Sequence, residues 1–172
     1  MPVIIYPLVD NIYAADMFFL LEDMNSLYLW EIQETMKRFI NAQCADYETA
    51  LAEIRAGRKL THWIWYIFPQ IQGLGYSPRT QYYAIKDINE ARQYLSDETL
   101  GPRLREITSA LLAVEGRSAL EILGSPDDQK VMSCMTLFDF ICPHDIFEQV
   151  LLKYYNGIRC THTIKTLTEQ GI

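Results

Sequence analysis

The sequence predicts an all-α protein: a compact, multihelical single domain of eight or nine short helices, preceded by an N-terminal leader of different character. Three observations carry that expectation. Helix start and stop signals recur from about residue 26 onward, apolar residues return at spacings of three and four, and strand-like alternation never persists. With 172 residues, 49% hydrophobic and 22% charged, the chain is long enough to bury a core and ordinary in composition for one folded domain.

Residues 1–25 read as the leader and residues 26–172 as the helical domain. Within the leader, Val3-Ile4-Ile5-Tyr6 lies between prolines and has strand character. Ser26 is placed to cap a helix with Leu29, Ile32, Met36, Phe39 and Ile40 on one stripe. Asp46 is expected to open a second helix, with Tyr47, Ala50, Leu51 and Ile54 inward and Gly57 closing it. Ser77 followed by Pro78 supplies an N-cap and a first helical position where the missing N–H costs nothing. Capping boxes are read at Asp87/Glu90, Ser118/Glu121 and Asp145/Glu148. Pro102 is expected to start a helix carrying Leu104, Ile107, Leu111 and Val114 and ending at Gly116. Ser125-Pro126 starts another, with Val131, Met135 and Phe138 inward, stopped before Pro143. Gly157 closes the helix from Asp145, and a last helix runs from about Thr163 to Gln170.

The net charge of −7 is uneven. Residues 1–36 hold Asp10, Asp16, Glu22, Asp23, Glu31 and Glu34 with no Lys or Arg, which leaves −1 for the rest. An acidic leader on a near-neutral body argues against a nucleic-acid partner, since phosphate neutralisation needs a basic face. The longest compact apolar run, Met17-Phe18-Phe19-Leu20-Leu21, falls far short of the roughly 20 residues of a membrane span. The first basic residue is Lys37, so no signal peptide is read, and a cytoplasmic location without membrane partner is expected. In that setting Cys44, Cys134, Cys142 and Cys160 are expected to be free thiols.

Chemistry concentrates in His62-Trp63-Ile64-Trp65-Tyr66-Ile67-Phe68-Pro69-Gln70, running into Gly73-Leu74-Gly75-Tyr76-Ser77-Pro78. Tryptophan and histidine each carry a polar atom that wants a partner when buried, so their density suggests more than filler. One reading is packing. The other is a pocket in which Trp63 and Trp65 offer flat faces, His62 moves protons and Gln70 orients a polar ligand edge. On a helix, His62, Trp65 and Pro69 would share one face and Trp63 and Ile67 another. Gly73 and Gly75 before the Ser77 cap have the makings of a phosphate cradle with Arg79 adding charge. The third glycine of a dinucleotide fingerprint is absent, Pro78 standing in its place, so turn plus cap is the favoured reading and no cofactor is expected. Asp127 and Asp128 open a helix, where carboxylates favour the positive dipole end. The sharper reading makes Asp128 a base or a ribose-hydroxyl acceptor and Lys130 an anion holder. Cys142-x-His144 and Cys160-x-His162 have zinc-ligand types without the usual knuckle spacing, so no metal is expected. Cys134 reads as a buried, inert thiol.

Two blocks carry a family resemblance: the His62–Gln70 run with Gly73-Leu74-Gly75-Tyr76-Ser77, and Ser125-Pro126-Asp127-Asp128-Gln129-Lys130 with Ser133-Cys134-Met135-Thr136-Leu137-Phe138. Together with Leu100-Gly101-Pro102-Arg103-Leu104 and Glu115-Gly116-Arg117-Ser118, the chain resembles the bacterial domain-of-unknown-function family 1810, some members of which are labelled calpastatin. The likeness covers roughly residues 36–168 and leaves residues 1–30 outside the usual family extent. Met132 stands where a basic residue is expected. The resemblance implies a multihelical, mostly α fold and no reaction.

The union of stacking aromatics, a histidine, a glycine turn and helix N-termini leads to a pocket protein that binds a nucleotide or ADP-ribose-type metabolite. On the finer reading it also hydrolyses it. His62 and Asp128 then share the acid/base work, while Trp63, Trp65, Gln70, Gly73, Gly75, Ser77, Arg79 and Lys130 hold the ligand. The alternative is a protein–protein interaction module whose acidic leader docks on a partner, without catalysis.

Overall fold

In a computed structural model of the chain, residues 34–170 are described. The Ser26 cap, the strand reading at residues 3–6 and the leader lie outside them. Every regular element among the described residues is a helix, and an isolated bridge pairs Ile71 with Ile85.

The described part of the first helix, α1, spans residues 34–55 and runs straight through Asp46, where a second helix was expected to begin. Gln43 explains the difference. Its polar side chain interrupts the apolar stripe in the sequence, yet it is buried beside Phe39 and Tyr47. Its amide Nε2 donates to the Tyr66 carbonyl at 2.7 Å and to the Tyr94 hydroxyl at 2.9 Å. A buried amide with its bonds made can stand in a core stripe, so the stripe continues from Met36 to Ile54. The helix stops at Gly57, whose φ of +70° is left-handed. The Arg58 N–H reaches the Glu53 carbonyl at 3.0 Å and the Gly57 N–H reaches that of Ile54 at 2.8 Å, a Schellman turn.

Eight further helices follow: α2 (Ile64–Ile67), α3 (Pro78–Tyr82), α4 (Ile88–Ser96), α5 (Leu100–Leu112), α6 (Ala119–Leu123), α7 (Asp127–Ile141), α8 (Ile146–Tyr155) and α9 (Thr161–Glu169). The Ser118/Glu121 box is complete, and the Asp87 carboxylate caps α4 through the N–H groups of Asn89 and Glu90. At Asp145 the box does not form: its carboxylate accepts from the Ile146 N–H, and Glu148 turns to His144. The α5 helix starts upstream of Pro102, since the Asp97 carboxylate accepts from the N–H groups of Thr99 and Leu100. Pro102 then sits in the first turn, where no N–H is needed. The α9 helix likewise begins before Thr163, which is buried and hydrogen-bonds Ser133 on α7.

The core is organised around α7, which packs against α4, α6, α8 and α9. Residues 133–139 are buried without interruption, so the middle of α7 is enclosed on all sides, which accounts for its weak amphipathic pattern. Phe138 stands between the rings of Tyr94 on α4 and Phe147 on α8, with centroids at 5.6 and 5.5 Å. Among the described residues, no helix is long and apolar enough to cross a membrane.

Candidate functional site

Four segments converge on an open cavity of about 510 Å³, lined by Ala42, Ala45, Asp46, Thr61, His62, Tyr66, Arg79 and Tyr83. That size suits a small metabolite. Ala42, Ala45 and Asp46 fall at i, i+3 and i+4 on the outward face of α1. Two methyl-sized side chains leave the room, and the third supplies a charge. Thr61 and His62 come from the turn between α1 and α2, Tyr66 from α2, Arg79 from α3, and Tyr83 from the residue after it.

Each wall is fixed from behind. Glu53, buried in the last turn of α1, accepts from Leu60 N–H at 2.8 Å, Thr61 N–H at 3.1 Å, Thr61 Oγ1 at 2.8 Å and Trp63 Nε1 at 2.8 Å. Burial pushes its pKa up, but the four bonds outweigh it and hold the carboxyl below its ordinary range. These bonds set the turn that presents Thr61 and His62. The Tyr66 hydroxyl donates to Asp46 Oδ2, and its ring lies 5.0 Å from that of Tyr83. Burial first, and then the Asp46 carboxylate, push the Tyr66 phenol well above its ordinary pKa, so it stays a neutral donor. The Arg38 guanidinium ties α1 to the segment after α3 through the Ala84 carbonyl at 3.0 Å and to α4 through the Glu90 carboxylate. The bridge between Ile71 and Ile85 closes the loop that carries α3. Arg79 itself is exposed, packs 5.0 Å from the Trp65 ring and meets no carboxylate among the described residues.

The family model described as Protein of unknown function (DUF1810) matches residues 33–167. The chain belongs to this family. Its fold is similar to the crystal structure of the conserved hypothetical protein Rv1873 from Mycobacterium tuberculosis, with a TM-score of 0.76 and 45% identity. The match covers 77% of this chain and 96% of that one. No curated protein matches. Every residue lining the cavity of this DUF1810 chain lies inside the family span.

The residues singled out in the sequence divide between cavity and scaffold. His62 and Arg79 line the cavity. Trp65 is half-buried behind it, with Arg79 on its ring and Lys130 Nζ at 4.7 Å. Trp63, expected to offer a ligand face, is instead 1% exposed with its indole N–H spent on Glu53 and the Lys59 ammonium over its ring. Gln70 is buried and donates to the Phe68 carbonyl. Gly73 has a φ of +92° with the His162 imidazole against it, and a Cβ on Gly75 would meet Thr80 Cγ2 at 2.8 Å. Ser77 caps α3 through Thr80 N–H. The glycines and the cap therefore seat α3, and with it Arg79.

The second block does not line the cavity, and Lys130 comes near it only through the Trp65 ring. Lys130 is held by Asp127 at 2.6 Å, and Asp127 also takes Lys59 at 2.8 Å, so this ammonium already has its anion. Asp128, expected to share acid/base work with His62, does not line the cavity. It is 9% exposed, accepts from Gln129, and its carbonyl takes the Tyr155 hydroxyl at 2.7 Å. The carboxylate that does face the cavity is Asp46. Sequence reasoning missed it because it was read as a helix cap. The usable signal was the Ala42/Ala45/Asp46 spacing, visible only once α1 is taken as continuous. Neither Tyr66 nor Tyr83 was singled out as a ligand contact.

Proposed function

We propose that this DUF1810 protein binds a small anionic metabolite of nucleotide or ADP-ribose type in the cavity between α1, α2 and α3. Arg79 is the observation that carries the reading: a guanidinium on the wall of a cavity, without a carboxylate to neutralise it among the described residues. A planar, always-charged fork in that position suits phosphate or carboxylate. The paired rings of Tyr66 and Tyr83 add a flat aromatic wall for a base or sugar. His62 and Asp46 place a proton-transfer group and an acceptor in the same space, and hydrolysis of the bound ligand is the finer form of the proposal.

A thermal-shift panel of nucleotides, NAD, ADP-ribose and sugar phosphates tests it, run on the unaltered chain and on Arg79→Ala. A ligand at 100 times its dissociation constant adds about 2.7 kcal/mol of stability. The expected outcome is a hit whose shift shrinks in Arg79→Ala. No shift across the panel, or one that ignores Arg79, refutes the reading.

A further inference from the structure

The cavity is lined by a carboxylate as well as a guanidinium, and the carboxylate is unusual for a pocket that takes an anion. Asp46 stands on α1, and the Tyr66 hydroxyl fixes its Oδ2. Its other oxygen, Oδ1, accepts no hydrogen bond from any described residue, although the side chain lines the cavity. The remaining polar groups nearby do not serve it. The Thr61 hydroxyl donates to Glu53, and the single proton of Tyr66 is already given to Asp46. Burial and the Asp46 charge keep that proton on the phenol, so the anchor persists wherever the carboxylate is ionised.

An ionised carboxylate only accepts hydrogen bonds, with about four lone-pair sites over its two oxygens. Here one site is used by Tyr66, and the guanidinium of Arg79 lines the same cavity. A phosphate at Asp46 would meet like charge. A ligand satisfying both groups sets its anionic group at Arg79 and turns O–H donors toward Asp46. Two neighbouring hydroxyls match the two oxygens of one anchored carboxylate.

We propose that Asp46 reads the vicinal hydroxyls of a ribosyl phosphate, so that the cavity takes ribose-bearing phosphoesters in preference to their 2-deoxy counterparts. This rests on the reading of the cavity as an anion pocket built on Arg79. Asp46 is the specificity residue and Tyr66 positions it. A ligand without the 2-hydroxyl forgoes a hydrogen bond to a charged acceptor, which lowers affinity by roughly ten- to a hundredfold.

The test is titration calorimetry of the full chain with two probe pairs that differ by one hydroxyl. They are ribose 5-phosphate against 2-deoxyribose 5-phosphate, and AMP against 2′-deoxy-AMP. The ribo member of at least one pair is expected to bind roughly ten- to a hundredfold tighter than its deoxy partner. Asp46→Asn brings that ratio to within about threefold, because one acceptor oxygen becomes a donor. Tyr66→Phe lowers the ratio in part, by freeing the carboxylate rotamer, and serves as a second variant if Asp46→Asn folds poorly. Arg79→Ala weakens both members alike and keeps the ratio. Equal affinity for ribo and deoxy probes, with binding still dependent on Arg79, overturns the role of Asp46 and leaves the anion pocket standing. No binding of any probe at millimolar concentration overturns both.

Discussion

Replacing Glu53 by glutamine removes the charge that organises the turn between α1 and α2. The carboxylate accepts four bonds, from Leu60 N–H, Thr61 N–H, Thr61 Oγ1 and Trp63 Nε1. An amide offers one accepting oxygen with two lone pairs and places an N–H₂ donor where the other oxygen was. With the amide oxygen at the Oε2 position, Leu60, Thr61 and Trp63 keep a neutral acceptor in place of a charged one, and the Thr61 hydroxyl turns to accept from the N–H₂. Leu60 and Thr61 are near solvent and can offset the weaker bond with water, but Trp63 is 1% exposed and its indole N–H cannot. Hydrogen bonds to a charged group are worth about 1.5–3 kcal/mol against about 0.5–1.5 kcal/mol for neutral ones, so three weakened bonds should together lose about 2–4 kcal/mol. For a chain of this size that lowers the melting temperature by about 4–16 °C. Urea unfolding followed by circular dichroism measures the loss directly. Trp63→Phe, which removes the indole donor, provides the control: in that background Glu53→Gln should cost at least about 0.5 kcal/mol less. A loss below about 0.5 kcal/mol in the otherwise unaltered chain would mean that these bonds do not hold the turn.

Acid should destabilise the fold through the same group and two others. Burial opposes ionisation of Glu53, Asp127 and Asp145, yet the bonds to Glu53, the Lys130 and Lys59 pairs of Asp127, and the Ile146 N–H and Arg105 contacts of Asp145 leave all three pKa values lowered. Groups depressed on folding add stability above their unfolded values, near pH 4, and lose it as pH falls through the lower folded values. The urea midpoint should therefore be flat from about pH 7 to 5 and drop below about pH 4, less steeply in Glu53→Gln. Gly101→Ala would set a methyl 2.2 Å from the Leu95 carbonyl oxygen, and should cost about 1–3 kcal/mol by denaturant titration despite alanine's better helix propensity. Unchanged stability would show that α4 and α5 are free to part at no cost. Exposed Cys44 should be alkylated readily by iodoacetamide, whereas burial pushes the Cys134 thiol well up and peptide mapping should find it unmodified until the chain unfolds.

Local signals announced most of the helices. Ser77-Pro78, Asp87, Ser118/Glu121 and Gly57 mark termini because a cap is a bond between residues two to four apart, and such bonds can be read from spacing alone. The family resemblance likewise rested on contiguous residues. Where a boundary was misplaced, a distant partner had decided it. Gln43 continues α1 because Tyr66 and Tyr94 take its amide, and neither is near it in sequence.

The candidate site was legible in part for the same reason. His62 and Arg79 were singled out by residue type within one dense block, and the fold does bring them to one cavity. The sequence could not decide which tryptophan would be spent on the core. That depended on Glu53, one helix earlier, being buried and needing a donor for its charge. Nor could it choose between Asp46 and Asp128, since a carboxylate lines a cavity only when the surrounding walls leave it space. Sequence determined the helices and the stock of chemical groups, because both follow from short-range bonding and side-chain identity. Tertiary packing alone decided which groups remained unsatisfied and facing a cavity, because satisfaction is settled by whichever residues the fold brings within about 3 Å.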